Sequence, residues 1–136
     1  MTNSSTDFII TAMPLCGLLG VTASEASAEL VELRLAWRAD LCTTGGLLHG
    51  GTMMALADAA GGACAYFNLP EGATGTSTIE SKTNFLGAVG GGMVIATARP
   101  LHVGGTTIVI ETEIRHDERL VAKVTQTQAV LRPRSN

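Results

Sequence analysis

The chain is 136 residues long, enough for one domain and too short for a large enzyme with a separate cofactor domain. Only 15% of its residues are charged while 46% are hydrophobic and the mean hydropathy is +0.29, so much of the surface is expected to face something other than water. A net charge of −3 and a pI near 5.5 argue against nucleic-acid binding, which leaves a basic footprint.

Residues 1–15 read as a short N-terminal segment before a core at 17–131, the whole of 1–136 forming one domain. Phe8, Ile9, Ile10 and Met13 make an apolar patch closed by Pro14, which suits a brief helix or turn. From Ala28 to Trp37 the chain alternates, with Val31, Leu33, Leu35 and Trp37 on one face and Glu32, Arg34 and Ala36 on the other. This is a half-buried strand, paired with a preceding one near residues 18–25. The run from Gly51 to Phe67 lacks alternation, is rich in Ala and Met, and ends at Asn68 and Pro70, so it reads as a helix. Being apolar nearly all round, that helix is expected to be buried on most sides.

Period two returns after the helix. Strands are expected near 75–86 and 93–102, then over TTIVIETEIR and LVAKVTQTQAVL, with Ile108, Ile110, Thr112 and Ile114 sharing one face. Gly90-Gly91-Gly92 and Gly104-Gly105 read as hairpin connections, which makes the four strands a meander. One long helix wrapped by an antiparallel sheet is the architecture this implies.

Several function classes recede at once. Cys16, Cys42 and Cys64 are widely spaced without a CxxC pair, so neither a disulfide framework nor a zinc site is expected, and a reduced, cytoplasmic setting is the default. No apolar run approaches the ~20 residues of a membrane helix. Charge is uneven, with two basic and eight acidic residues in 1–80 against seven basic and four acidic in 81–136, so a small anionic ligand is better tolerated by the second half.

Asp58 is the only acidic or basic side chain between His49 and Glu71, and it falls in mid-helix. A carboxylate in apolar surroundings costs desolvation energy unless it is paired, so Asp58 is either a functional group or a residue that emerges at a solvated gap. His49-Gly50-Gly51 precedes it, where glycines admit a ligand to the backbone and the unsatisfied N–H groups and dipole of the first turn suit a developing oxyanion. The plain alternative is a loop-to-helix turn with a capping histidine. Gly50 and Asp58 are eight residues apart, about 12 Å along a helix, too far for both to touch one reacting carbon. Two such helices packed antiparallel about a two-fold axis would bring Gly50 of one chain to the partner's Asp58, which predicts a dimer with two equivalent sites.

The run LLHGGTMMALADAAG resembles the helix signature of the hot-dog fold thioesterases, in particular the PaaI-like phenylacetic-acid-degradation and 4-hydroxybenzoyl-CoA thioesterase group. That pattern reads roughly N-x-x-G-x-x-HGG-x-x-x-x-L-x-D/E, and the likeness continues through GTSTIESKTNF and the later strands, about residues 35–131. The resemblance implies an α+β hot-dog fold and an acyl-CoA thioesterase with no cofactor beyond the coenzyme A of its substrate and no metal. It implies a homodimer with sites at the interface, and relatives suggest a homotetramer of two such dimers.

Residue by residue, the resemblance makes Asp58 the catalytic carboxylate, acting as nucleophile or as general base for water. It makes the Gly50 N–H the group that polarises the thioester carbonyl, His49 the histidine that orders this loop, and Ser77 a strand residue that helps place the nucleophile or water. Gly51, Thr76, Thr78, Gly104, Gly105 and Thr106 are the expected contacts to substrate and coenzyme A. The chain departs from the pattern where Thr43 stands in place of the usual Asn, where Gly87-Ala88 replaces Arg-Pro or Ser-Pro, and where Gly104-Gly105 replaces Gly-Lys or Gly-Arg. Arg99, Arg115, Arg132 or Arg134 could compensate for the lost phosphate contacts. These departures motivate a second reading, a non-hydrolytic acyl-CoA or acyl-carrier binder. A hot-dog dehydratase ranks last, because His49 has no acidic partner of the kind that reaction uses.

Overall fold

In the computed structural model, which describes residues 3–134, the alternating runs are strands and the Ala- and Met-rich run is a helix. The order is α1 (Ser4–Ala12), α2 (Pro14–Leu19), β1 (Thr22–Ala26), β2 (Val31–Ala36), α3 (Gly50–Phe67), β3 (Gly75–Phe85), β4 (Met93–Val103), β5 (Thr107–His116) and β6 (Arg119–Leu131). Two short 3-10 turns, Ala39–Leu41 and Thr44–Gly46, separate β2 from α3. All strand pairings are antiparallel, and the six strands form one sheet in the order β1-β2-β4-β5-β6-β3. The sheet curls around α3, which packs against β2 through β6, and this is the hot-dog architecture.

Three expectations are corrected. Residues 14–19 are helical, so the first strand is shorter than expected. Pro14 opens α2, where its fixed φ suits the helix and its missing N–H would have no intrahelical partner, and Gly20 closes it at φ 77°. Second, α3 begins at Gly50, one residue early, because His49 caps it. Third, the four late strands are not a simple meander: β4, β5 and β6 are sequential neighbours, but β3 lies beyond β6 and β4 pairs with β2.

The Gly90–Gly92 run is therefore no hairpin. Residues 86–92 pass across one end of the sheet from β3 to β4, three strand spacings or about 14 Å, well within the ~23 Å that seven residues can span. Leu86 and Gly87 donate to the Val121 carbonyl, Leu48 donates to Val89, and Trp37 donates to Gly92. Gly92 sits at φ 77° with the His116 ring 2.9 Å from where a Cβ would be, so the crossing needs glycine there twice over.

The core lies between the sheet and α3. Leu33 and Leu35 from β2, Val94 and Ala96 from β4, and Ile108, Ile110 and Ile114 from β5 meet Met53, Leu56, Ala57, Ala60 and Cys64 of the helix. Thr112 shares the inner face of β5 as the alternation predicts. The N-terminal segment belongs to this body: Ile9 is wholly buried, and the Thr6 hydroxyl accepts the Ala23 N–H at 2.9 Å. At the other end of α3, the Asn68 side chain donates to the Cys64 and Ala28 carbonyls and ties the helix terminus to the β1–β2 loop.

Candidate active site

The helix is apolar nearly all round in sequence but not enclosed on all sides. Gly51, Met54, Asp58 and Tyr66 are exposed, with Ala55 and Gly62 half-buried between them, and at this spacing they form one open stripe. The other faces carry the small buried residues that let the sheet approach. Asp58 thus emerges from the middle of the core helix along its open stripe.

Its carboxylate is held from one side. Thr78 Oγ1 donates to Asp58 Oδ1 at 2.9 Å, and Gln126 Nε2 donates to the same oxygen at 3.1 Å. Behind them Gln128 Nε2 donates to Thr78 Oγ1 at 2.6 Å. Asp58 Oδ2 has no hydrogen-bond partner among the described residues. Thr78 is brought to this place by β3, where a bulge at Ile79 interrupts the register with β6.

Gln126 and Gln128 escaped the sequence reading. They occupy alternate positions of β6 in the row of Ala122 and Val124, all facing inward. Two amides where the strand period demands core residues were the available signal. Their fit is tight: a Cβ at Gly61 would collide with Gln126 Oε1, so the amide keeps this position only beside a glycine one turn from Asp58.

A cavity of about 400 Å³ opens beside Asp58. Its polar end is Asp58, Ser77, Thr78 and Gln128, and its apolar end includes Phe8 and Met13 of the N-terminal segment with Tyr66 of α3. Phe8, Tyr66 and Phe67 form an aromatic cluster with ring centroids 5.5 to 6.2 Å apart. A second cavity of about 280 Å³, walled by Leu15, Leu19, Val21 and Leu56, touches Asp58 from the other side. Of the two adjacent methionines of α3, Met53 is core and Met54 is exposed.

The helix start is arranged as a capped turn. His49 Nδ1 accepts the Gly51 N–H at 2.7 Å, and the His49 carbonyl takes Thr52 and Met53. The Gly50 N–H has no acceptor among the described residues. Phe85, at the end of β3, covers Gly50 so closely that a Cβ would lie 3.0 Å from the ring. Because α3 is continuous, Gly50 and Asp58 remain about 12 Å apart along one chain.

The other expected residues are dispersed. Ser77 and Thr76 line the large cavity, but Thr78 is the strand hydroxyl in contact with Asp58. Thr43 is exposed in a loop closed at its neck by the Cys42–Leu48 bridge. Gly104, Gly105 and Thr106 form the exposed β4–β5 hairpin, about 10 Å along the strands from the row that holds Thr78 and Gln128. Arg132 reaches this hairpin, donating to the Gly105 and Glu71 carbonyls, while Arg115 is paired with Glu113 at 2.7 Å.

Two of the three cysteines are deactivated by burial. Burial pushes the Cys64 thiol up to about 11 and raises Cys16 as well, leaving both protonated at neutral pH. Among the described residues no group of three His, Cys, Asp or Glu side chains could hold a metal ion, and no helix is long and apolar enough to cross a membrane.

Comparison with known proteins agrees with this fold. The model of the Thioesterase superfamily matches residues 45–123, more than half the chain and the part that contains α3 and β3 to β5. A Vibrio cholerae protein named "Putative esterase VC_A0580" is 38% identical over 92 residues, which are 67% of this chain and 61% of that protein's length. The conserved protein PA5202 of Pseudomonas aeruginosa has a solved structure that is 33% identical, with a TM-score of 0.79 over 86% of this chain and 93% of that one. Thioesterase HI1161 of Haemophilus influenzae is 25% identical, with a TM-score of 0.86 over 97% of this chain and 93% of that one.

Proposed function

Because this chain belongs to the Thioesterase superfamily, we propose that it hydrolyses an acyl-CoA to the free acid and coenzyme A, with Asp58 delivering or activating the attacking oxygen. The observation that carries the reading is the Asp58 carboxylate, anchored through Oδ1 by Thr78 and Gln126 at the mouth of an apolar cavity with Oδ2 unengaged. As a nucleophile, Oδ2 attacks the thioester carbon and forms an anhydride that water then opens. As a general base, it takes a proton from the attacking water. Either way the C–S bond breaks, and coenzyme A leaves as a stable thiolate that takes up a proton afterwards.

The oxyanion needs a donor that one chain does not supply to its own Asp58. In the proposed homodimer, the free N–H of Gly50 of the partner subunit provides it, aided by the positive end of α3. The open stripe of α3 and the unpaired outer edge of β3, with Ile79 61% exposed, support a partner on this side. A tetramer of two such dimers, a cytoplasmic setting and the absence of any cofactor beyond coenzyme A complete the proposal. Within the superfamily we place the chain in the PaaI-like and 4-hydroxybenzoyl-CoA group, on the strength of its HGG and LAD spacing.

The acyl group enters the larger cavity, whose apolar end of Phe8 and Tyr66 suits an aryl acyl group such as phenylacetyl or hydroxybenzoyl. The test is thiol release from a panel of aryl and alkyl acyl-CoAs by the wild type and by Asp58→Ala. Turnover falls by about 10²-fold or more in the variant while its sedimentation is unchanged; undiminished turnover overturns the assignment. A second reading, an acyl-CoA or acyl-carrier binder without turnover, is favoured by Thr43 in place of Asn and by Gly104-Gly105 in place of a basic hairpin. Binding by the wild type with no thiol release on any member of the panel selects it.

A further inference from the structure

We infer that Gln126 and Gln128 are positioning residues of the site: from inside the sheet they fix Asp58 by its Oδ1 and leave Oδ2 as the oxygen that works. The inference rests on the reading of Asp58 as the group that carries hydrolysis.

The first argument is directional. An amide nitrogen only donates, so Gln128 Nε2, 2.6 Å from Thr78 Oγ1, makes that hydroxyl an acceptor and sends its one proton onward to Asp58. Gln126 Nε2 donates to the same carboxylate oxygen. Turning the Gln126 amide over would set a carbonyl oxygen against a carboxylate oxygen, two acceptors with no proton between them. Both donors therefore converge on one of the two carboxylate oxygens and leave the other without a partner among the described residues.

The second argument is the cost to the fold. Gln126 is 0% exposed and its Oε1 is buried without a partner, a state that an apolar side chain of similar shape would avoid. It also requires glycine at position 61 of α3, where alanine is the better helix former. A strand row that needs only to fill the core would hold valine or leucine here, as the row does at Val124. Packing alone does not explain a buried amide here, and its one hydrogen bond among the described residues is to Asp58.

The variant Gln126→Met keeps the volume and removes the donor. Its thermal midpoint is expected to equal or exceed that of the wild type, while kcat falls roughly 10- to 100-fold, the worth of a hydrogen bond to a charged group, with KM within about twofold. Gln126→Glu, which keeps the shape but sets a second carboxyl group against Asp58, is expected to lose more kcat than Gln126→Met at neutral pH. A lower midpoint with unchanged kcat per folded molecule would show a merely structural role and overturn the inference. Should Gln126→Met fail to fold, Thr78→Val, on an exposed strand edge, carries the same test with the same split between kcat and KM. Asp58→Ala separates the two levels of the argument. If it turns over normally, the reading of the site fails; if it is inactive while Gln126→Met and Thr78→Val have wild-type kcat, only the inference fails.

Discussion

Strands β5 and β6 lie side by side and turn the same face to the core, yet their inner rows differ. On β5 the row is Ile108, Ile110, Thr112 and Ile114; on β6 the residues directly opposite are Gln128, Gln126, Val124 and Ala122. At the Ile114 end the facing pairs are Ile114 with Ala122 and Thr112 with Val124, where the one polar atom is the Thr112 hydroxyl and it reaches no catalytic group. At the other end isoleucine faces glutamine, and there the neighbouring helix carries its only charged side chain. Polarity inside a core is expensive, so the place where one of two equivalent rows turns polar marks the place where the fold serves something besides its own stability.

The comparison can be broken first at its apolar end. Ile114→Ala, at a wholly buried site far along the strand from the glutamines, is expected to lose about 2–5 kcal/mol in urea unfolding with kcat per folded molecule unchanged. A large loss of kcat at retained stability would mean that the two ends are not separate in role. Gly61→Ala sharpens the polar end. The new methyl group drives into Gln126, so stability is expected to fall by about 1–3 kcal/mol and kcat with it, since the amide is displaced from Asp58. Normal kcat in a folded Gly61→Ala protein would show that Asp58 does not depend on where that amide lies.

The smallest effect is expected on the outer face, at the far edge of the same sheet. Ser24 donates to Glu32 at 2.6 Å, and this hydrogen bond is the main reason the Glu32 carboxyl is held below its usual range, with Arg34 assisting. A lowered carboxyl pKa stabilises the fold above the unfolded value near 4.3, and the contribution disappears as pH falls through the lower folded value. Ser24→Ala is therefore expected to cost less than about 1 kcal/mol at pH 7, because the pair is partly solvated, and the difference from wild type should shrink as pH falls through the lowered Glu32 value. A difference that persists at low pH would assign the effect to packing.

The sequence made most of this architecture legible because burial imposes a period. Val31, Leu33 and Leu35, and the isoleucines of β5, announce their face by alternation, and α3 stands out by lacking it. Pairing was less legible. Glycines signal that the chain changes direction but not how far it travels, and Gly90–Gly92 lead across three strands rather than around a tight turn. Asp58 and the HGG turn were visible as local exceptions to composition. The contact between Asp58 and Thr78, and the two glutamines behind it, depend on which strand β3 chooses as neighbour. The period of β6 offered an inward place for Gln126 and Gln128 that the sequence reading passed over, and only the pairing of β3 with β6 brings them to the carboxylate.

The contact between Gly61 and Gln126 has a consequence for how this protein can change over generations. The two positions are distant in the chain, yet a side chain at one occupies the volume of the other. Neither can vary freely while the other stays fixed. A bulkier residue at 61 fits without displacing the Gln126 amide only after 126 has shortened, and either order gives up the donor to Asp58. Drift toward a better-packed core is thus open to the chain mainly along a route that passes through weakened chemistry, and an inactive descendant of this fold should be recognisable by an alanine at 61 and an aliphatic residue at 126.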